Sequence, residues 1–349
     1  MSEETAEHEG FAHRPVMVDQ IVGIFESVPA GTLVDATLGG GGHAAAILSS
    51  NSQLELLGID RDVEALDAAR IRLAEFGPRV RTWHGRFDQL DVALAETGVA
   101  DVSGALFDLG VSSPQLDRAE RGFSYRHDGA LDMRMDGTVR WSASDVVNGY
   151  DERDLASVIR RYGDERFARR IATAICAARP LQSTVELAEI VTAAIPAAAR
   201  RSGGHPAKRT FQAIRIEVNG ELDILPDALD QAVRVTSPGG RIAVLSYHSG
   251  EDRIVKNRFL EASGACDCPA DLPCVCGAVQ TVRIVRRIPK RASPDEVAVN
   301  RRASSALLRV VERIEAVRKA DGQRVSAIPA TESIPPTDPV RPGTERGEV

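Results

Sequence analysis

A run of four glycines followed by a histidine is the feature of this sequence best suited to chemistry. The apolar residues before it, Gly31 to Val34, predict a buried strand, and the alanines after it predict the start of a helix. Glycines in such a turn let the backbone approach a ligand closely and leave the first helical N–H groups free to bind it. A second apolar segment, Leu54 to Ile59, ends on Asp60, where a carboxylate can accept hydrogen bonds from ribose hydroxyls. Together these features predict a nucleoside-cofactor site.

The spacing of the glycines distinguishes between two classes of cofactor. A dinucleotide site requires G-x-G-x-x-G beneath a pyrophosphate, whereas Gly39 to Gly42 are contiguous and are followed by His43. Asp35 precedes the turn, and a carboxylate there suits a cation better than a phosphate. The pattern therefore favours S-adenosylmethionine, which carries a sulfonium and an ammonium group, over NAD. A dehydrogenase built on the same kind of sheet remains the alternative.

A second group of polar residues follows the predicted strand Val102 to Phe107. Asp108 closes this strand, and Ser113-Pro114-Gln115 resembles a degenerate form of the Asn/Asp/Ser-Pro-Pro-aromatic sequence of amino-methyltransferases. Methylation of an exocyclic amino group requires acceptors that make the nitrogen more nucleophilic and a scaffold that aligns it with the methyl donor. We therefore assign catalytic roles to Asp108, Ser113 and Pro114, although Ser-Ser-Pro is also common simply as a turn. His248, after a later strand, is either a proton acceptor or the cap of the next helix.

The elements around these residues alternate between strands and helices, which predicts a parallel sheet with its ligand at the carboxyl edge. From residue 117 to residue 207 the sequence instead indicates consecutive amphipathic helices, one of them opened by the capping box Ser183-x-x-Glu186. We expect this helical insert to recognise the substrate. The sheet domain then comprises residues 11–116 and 208–315, and its last strands follow a turn at Pro238-Gly-Gly. Residues 1–10 and 316–349 are polar and predict disordered tails.

Composition and charge limit the possible partners. The 349 residues contain no apolar run long enough to span a membrane, and the acidic N-terminus is no secretory signal, so we expect a cytoplasmic protein. The net charge of −7 argues against nucleic acid only as an average. Arg200, Arg201, Lys208 and Arg209 lie in a segment without acidic residues, and residues 281–302 are also basic. Such runs either grip RNA phosphates or form a solvated face.

Four cysteines form the one metal-like pattern of the sequence: Cys266, Cys268, Cys274 and Cys276. Their outer pairs are C-x-C rather than C-x2-C, and the loop between the pairs is short for a tetrahedral zinc site. We therefore expect reduced thiols and no metal, with zinc as the alternative.

Motifs between His13 and Ile314 resemble, in the same order, the bacterial 16S ribosomal RNA cytosine-N4 methyltransferases of the MraW family. The resemblance is carried by the glycine turn and by seven further segments: His13–Val16, Asp108–Asp117, Glu120–Ser124, Leu131–Asp136, Tyr162–Ala168, His205–Arg215 and Ser246–Lys256. It implies a Rossmann-like class I S-adenosylmethionine-dependent methyltransferase sheet with a helical inserted domain. It also implies methylation of N4 of a cytidine in the decoding region of 16S rRNA, free or in the small ribosomal subunit. A non-catalytic RNA-binding module on this fold remains an alternative, and a dimer is one possible oligomeric state.

Carried over residue by residue, the resemblance implies a set of cofactor contacts: Gly41, Gly42, His43, Asp60, Phe87, Asp108 and Gln115. Two positions depart from the family pattern. Gly40 stands where the family often has arginine, and Gly250 stands where it usually has leucine. Neither removes a cofactor contact, but Gly250 weakens the expectation that the loop of His248 has fixed packing.

Overall fold

The computed structural model describes residues 15–200, 204–265, 268 and 277–318, and its framework is one seven-stranded sheet. The strands are β1 (Gly31–Asp35), β2 (Leu54–Asp60), β3 (Val80–His84), β4 (Val102–Asp108), β5 (Thr236–Ser246), β6 (Val279–Ile284) and β7 (Leu307–Arg318). Their order is β3-β2-β1-β4-β5-β7-β6. The first five strands are parallel, and β7 runs antiparallel to both of its neighbours.

The helices of the described residues fall into three groups along the chain. Before the insert lie α1 (Val18–Phe25), α2 (Gly42–Ser50), α3 (Val63–Arg72), α4 (Leu90–Thr97) and α5 (Ser113–Asp117). The next group is α6 (Ala143–Gly149), α7 (Glu152–Gly163), α8 (Ala168–Ala177), α9 (Thr184–Ala194), α10 (Ala197–Arg200) and α11 (Lys208–Asn219). The last is α12 (Glu221–Val235), α13 (Ser249–Ala262) and α14 (Pro294–Val299). None of these helices is long and apolar enough to cross a membrane.

The order of the strands places a crevice at the carboxyl ends of β1 and β4. From β1 the chain builds the sheet outward through β2 and β3, and it then returns to the other side of β1 with β4. Ligands of doubly wound sheets bind where the strand order reverses in this way. The Rossmann-like class I methyltransferase fold with a helical insert is thereby confirmed.

Both faces of the sheet are buried, because consecutive strand residues point to opposite sides. In β1, Leu33 packs into the core beneath α1 and α2, whereas Val34 packs into the core beneath α12 and α13. Strands covered on both faces read as continuous apolar runs, which is why β1, β2 and β4 could be recognised in the sequence.

The helical insert has a hydrophobic core of its own. The predicted helices of this region correspond to α7, α8 and α9, and the capping box before α9 is present between Ser183 and Glu186. Helix α11 also buries its apolar face in this core, with Phe211 and Ile214 among the buried residues. By packing, residues 208–219 therefore belong with the insert, whereas the sequence analysis assigns them to the sheet domain.

One local prediction is wrong. The turn predicted at Pro238-Gly-Gly lies inside β5, where the pairing with β4 jumps from Val102↔Thr236 to Gly104↔Arg241. The extra residues form a bulge that lets the strand continue. In α3, Leu66 and Ala69 form the buried face, whereas Val63 is 47% exposed.

Only residues 316–318 of the two predicted disordered tails are described by the structure. Residues 316–318 continue β7, whereas residues 1–10 and 319–349 lie outside the described residues. The last two strands, β6 and β7, form an antiparallel pair, with α14 between them in the chain.

The shared core of α11 and α7 generates a prediction about stability. Ile214 is fully buried, so Ile214→Ala should lower the free energy of unfolding by about 2–5 kcal/mol through lost burial and a residual cavity. Ile71 is 81% exposed on α3, and Ile71→Ala should change it by less than about 0.5 kcal/mol. Urea denaturation followed by circular dichroism measures both values. Equal effects of the two substitutions would contradict the packing described for α11.

Candidate active site

The turn between β1 and α2 has a backbone that only glycine adopts without strain at two positions. Gly39 and Gly41 have φ angles of +50° and +73°, in the left-handed region. A side chain at Gly42 would meet the ring of Pro15 at 2.7 Å, so the segment before α1 lies directly against the turn. A side chain at Gly40, in contrast, would project into open space. The turn is therefore closed on its protein side and open where a ligand would lie.

Asp60 connects the end of β2 to this turn. Its Oδ2 accepts a hydrogen bond from the Gly39 N–H at 2.8 Å, and its Oδ1 accepts one from the Asp62 N–H at 2.9 Å. Burial raises the pKa of this carboxyl group despite the two N–H donors. Each oxygen keeps a second lone pair, so the ribose contact predicted for Asp60 is compatible with these bonds.

Asp108, at the end of β4, is held by groups from three different segments. Its Oδ1 accepts a hydrogen bond from the Tyr247 hydroxyl at 2.6 Å, and its Oδ2 lies 3.4 Å from Nδ1 of His43. Its backbone N–H donates to Oγ1 of Thr37 at 2.6 Å. The side chain of Asp108 still keeps 28% of its surface exposed, so it is fixed in position and open to a ligand.

His43 faces an acceptor with each of its ring nitrogens. Nε2 lies 2.9 Å from the carbonyl oxygen of Val16, which can only accept, while Nδ1 faces Asp108. Burial lowers the pKa of His43, but the hydrogen bond and charge of Asp108, the Val16 carbonyl and the charge of Asp35 together leave the pKa raised. The doubly protonated imidazolium satisfies both contacts. In its protonated form, His43 offsets negative charge of the carboxylates at this edge.

Asp35, at the end of β1, is buried with only 2% of its surface exposed. Its Oδ1 accepts a hydrogen bond from the Thr37 N–H at 3.2 Å. Burial raises its pKa to about 7, with Asp108 and Asp60 adding to the shift and His43 opposing it. A buried carboxyl group that titrates near neutrality suits a site for a cationic ligand.

Phe87 and Gln115 lie at the same edge of the sheet. Phe87 follows β3 and packs edge-on against Phe107, the residue before Asp108, with ring centroids 6.0 Å apart. Gln115 is buried, and its Nε2 donates to Oδ2 of Asp62 at 2.8 Å. All seven predicted cofactor residues are thus carried by the adjoining ends of β1, β2, β3 and β4. Ser113 begins α5, and the side chains of Ser113 and Pro114 lie outside the described part of the structure.

His248 caps helix α13. Its Nδ1 accepts the Glu251 N–H at 3.4 Å, and Oε2 of Glu251 accepts the N–H groups of Tyr247 and His248. Nε2 is buried and lies 3.1 Å from Oε1 of Glu251, outside hydrogen-bond geometry. Because Nδ1 accepts a hydrogen bond, the proton of the neutral ring is on Nε2. This geometry favours the capping interpretation of His248 over the catalytic one.

Gly250 lies in the first turn of α13, directly after the loop that carries His248. A side chain there would lie 3.1 Å from the ring of His248 and 3.2 Å from Leu222. These two residues occupy the space that a side chain would take, so the loop is well packed despite the glycine.

The predicted RNA-binding cations have different surroundings. Arg200 donates to the carbonyl oxygens of Ile195 and Ala193 at the end of α9, and Arg209 donates to that of Asp164 beyond α7. Lys208 is exposed at the start of α11. Arg201 lies outside the described residues.

The cysteine cluster falls largely in a part of the chain that is not described. Cys266, Cys274 and Cys276 lie outside the described residues, and Cys268 is half-buried. Among the residues that are described, no three His, Cys, Asp or Glu side chains are grouped so as to hold a metal ion.

Two residues of the site, Tyr247 and Asp62, were not predicted from the sequence. Tyr247 is the hydroxyl donor to Asp108, although only its position beside His248 draws attention to it. Asp62 accepts hydrogen bonds from Gln115 and from Arg121, which links the cofactor edge to the insert. Its spacing before α3 is that of a helix N-cap, which is the one signal that it carries in the sequence.

Comparisons with known proteins are consistent with this geometry. Residues 10–314 match the family model described as the MraW methylase family. A ribosomal RNA small subunit methyltransferase H of Symbiobacterium thermophilum is 50% identical over 315 residues, which cover 89% of this chain and 99% of the relative. Proteins of the same name from a Paenibacillus species and from Mycobacterium sp. strain KMS are 49% and 50% identical. They are covered over 100% and 84% of their lengths, and they match 87% and 86% of this chain.

The pKa of Asp35 generates a prediction about cofactor binding. Asp35 is protonated below pH about 7 and charged above it, and a charged carboxylate attracts a cation. The affinity for S-adenosylmethionine should therefore rise by up to about tenfold in total as the pH increases from about 6 to about 8, and it should level off above the pKa of Asp35. Calorimetric titration measures this. Asp35→Asn should remove most of the dependence while His43 is retained, and an unchanged pH profile in this variant would count against Asp35.

Proposed function

The chain belongs to the MraW methylase family, and we propose that it methylates N4 of a cytidine in the decoding region of 16S ribosomal RNA. It is an S-adenosylmethionine-dependent methyltransferase, and its relatives are named for the RNA of the small ribosomal subunit. The observation that carries the proposal is the position of Asp108. Its partly exposed carboxylate lies beside the glycine turn, where an amino group and a methyl donor would meet.

The residues of this edge fit S-adenosylmethionine. The glycine turn opens onto free space at Gly40, Asp60 offers acceptor lone pairs to ribose hydroxyls, and the ring of Phe87 offers an apolar surface for adenine. Asp35 and Asp108 supply negative charge for the cationic end of the ligand. When bound, S-adenosylmethionine supplies an electrophilic methyl group on its sulfonium.

Asp108 is proposed to accept a hydrogen bond from the amino group of the cytidine. The Tyr247 hydroxyl and His43 fix the orientation of the carboxylate, so its free lone pairs need no reorganisation during the reaction. As positive charge develops on N4, the attraction of Asp108 becomes stronger, and this lowers the barrier. The turn at Ser113 and Pro114 is proposed to complete the set of acceptors.

The proton leaves N4 after methyl transfer, so the reaction does not require a strong general base. His248 is an unfavourable acceptor in this structure, because Nδ1 is engaged in the cap and Nε2 faces Glu251. We propose that the proton passes to solvent at the open side of Asp108.

The helical insert is proposed to bind the RNA, free or within the small ribosomal subunit. Because this substrate is cytoplasmic, we propose a cytoplasmic location for the protein. Lys208 is exposed and suited to a phosphate contact, and Arg201 is proposed to bind phosphate from the sequence alone. Arg200 and Arg209 each use some of their guanidinium N–H groups to bind carbonyl oxygens at helix ends. Their contribution to RNA binding would come from the N–H groups that remain.

Nucleoside mass spectrometry tests the proposed substrate. We expect 16S rRNA from a strain lacking this protein to lack N4-methylcytidine in the decoding region, and the purified protein with S-adenosylmethionine to restore it. RNA from the parent strain should accept no further methyl group. Restored methylation at another atom or another nucleoside would contradict the assignment of N4.

The position of Asp108 generates a prediction about the rate. Asp108→Ala should lower the single-turnover rate at saturating S-adenosylmethionine by about a hundredfold or more, because the acceptor for the N4 amino group is lost. Asp117→Ala, at an exposed carboxylate of α5, is the matched control and should leave the rate unchanged. A near-normal rate for Asp108→Ala would show that Asp108 only positions the cofactor.

A further inference from the structure

A cavity of about 400 Å³ opens in the helical insert, away from the strand ends. Its walls are two aromatic rings, one face of α9 and one arginine: Tyr125, His205, Val185, Ala188, Glu189, Thr192, Ala193 and Arg200. None of these residues belongs to the glycine turn or to the ends of β1, β2 or β4. The cavity is therefore distinct from the site of methyl transfer.

The two aromatic rings are stacked on each other, and the outer face of the exposed His205 ring is a flat surface backed by Tyr125. Tyr125 and His205 are stacked, with centroids 4.3 Å apart and planes inclined by 13°. Phe211 of α11 packs edge-on against Tyr125 at 5.7 Å and supports the stack from the core of the insert. Nδ1 of His205 accepts the Ala207 N–H at 3.2 Å, which fixes the orientation of the exposed ring.

Polar and charged groups surround this surface in a pattern that suits a nucleotide. Glu189 can accept hydrogen bonds from the N–H groups on the edge of a base, and the Thr192 hydroxyl can donate or accept. Arg200 lines the cavity, and the guanidinium of Arg126 lies 5.9 Å from the ring of Tyr125. A stacking surface, edge acceptors and nearby cations are the features with which proteins bind unpaired bases of RNA.

We propose that this cavity binds an unpaired base of the RNA substrate, a second nucleotide besides the one that is methylated. The proposal rests on the proposed function, because the ligand is taken to be the RNA that is methylated. A base held here anchors the RNA on the insert, while the target base reaches Asp108 on the sheet domain.

Substitutions of His205 test the stacking surface. His205→Ala should raise the Kd for a fluorescent transcript of the 16S decoding region, and for small subunits from the deletion strain, by about tenfold or more. His205→Phe keeps an aromatic ring and should bind within about twofold of the wild type. The affinity for S-adenosylmethionine should be unchanged in both variants, which also reports that the sheet domain is folded.

A second pair of variants tests the cavity without removing a ring. Ala193 is exposed and lines the cavity, so Ala193→Leu should fill it and weaken RNA binding. Ala198 is exposed in α10 and does not line the cavity, so Ala198→Leu is the matched control and should bind RNA normally. Wild-type affinity in both His205→Ala and Ala193→Leu would overturn the proposal and leave the cavity to a ligand of another class.

The failure of this proposal can be distinguished from failure of the proposed function. If the variants lose RNA affinity while the wild type transfers no methyl group to 16S rRNA, the proposed function is wrong and the cavity is still an RNA site. If the wild type methylates 16S rRNA and all four variants bind and methylate it normally, the proposed function stands and the cavity proposal is wrong.

Discussion

The accumulation of negative charge at the ends of β1, β2 and β4 is the constraint on which the site depends. Parallel strands bring Asp35, Asp60 and Asp108 to one partly buried edge, where burial raises the pKa of Asp35 and of Asp60. The structure compensates each carboxyl group differently. Asp60 accepts two backbone N–H groups, Asp108 accepts the Tyr247 hydroxyl and faces His43, and Asp35 has a pKa of about 7. The edge is thus arranged for a ligand that brings positive charge.

The same edge fastens the helical insert to the sheet. Arg61, the residue after Asp60, donates to the carbonyl oxygen of Asn219 at the end of α11. Asp62 accepts hydrogen bonds from Gln115 and Arg121, and Arg121 also donates to carbonyl oxygens in the segment 134–135. Because Asp62 and Arg121 are largely buried, breaking this contact would leave charges without partners at substantial cost. The cofactor edge and the proposed substrate domain are therefore held in a defined relation.

Much of the fold could be predicted from the sequence, because apolar strands, the glycine turn and helix caps leave local patterns. The strand ends that carry Asp60 and Asp108 were found in this way. Contacts between distant segments leave no such pattern. The bond between Tyr247 and Asp108 joins residues 139 positions apart. For the same reason, the packing of α11 against the insert could not be predicted from its amphipathic period. The period shows that one face of the helix is buried, but it does not show which element covers that face.

Runs of basic residues predicted RNA contacts less well than apolar runs predicted strands and helices. A guanidinium can donate to the carbonyl oxygens of a helix end as well as to a phosphate. Arg200 donates to carbonyl oxygens at the end of α9, and Arg209 donates to the carbonyl oxygen of Asp164 beyond α7. Carbonyl oxygens at helix ends have no partner within the helix and need such donors. The surface that recognises RNA therefore has to be sought in the arrangement of the insert, not in a run of basic residues. In the proposed reaction, methyl transfer to a neutral amine needs only fixed acceptors near the donor, and we propose that Asp108 supplies one at the sheet edge. Selection of one cytidine in a large RNA is the harder part of the proposed function, and we propose that the insert, with its own core and its aromatic cavity, performs it.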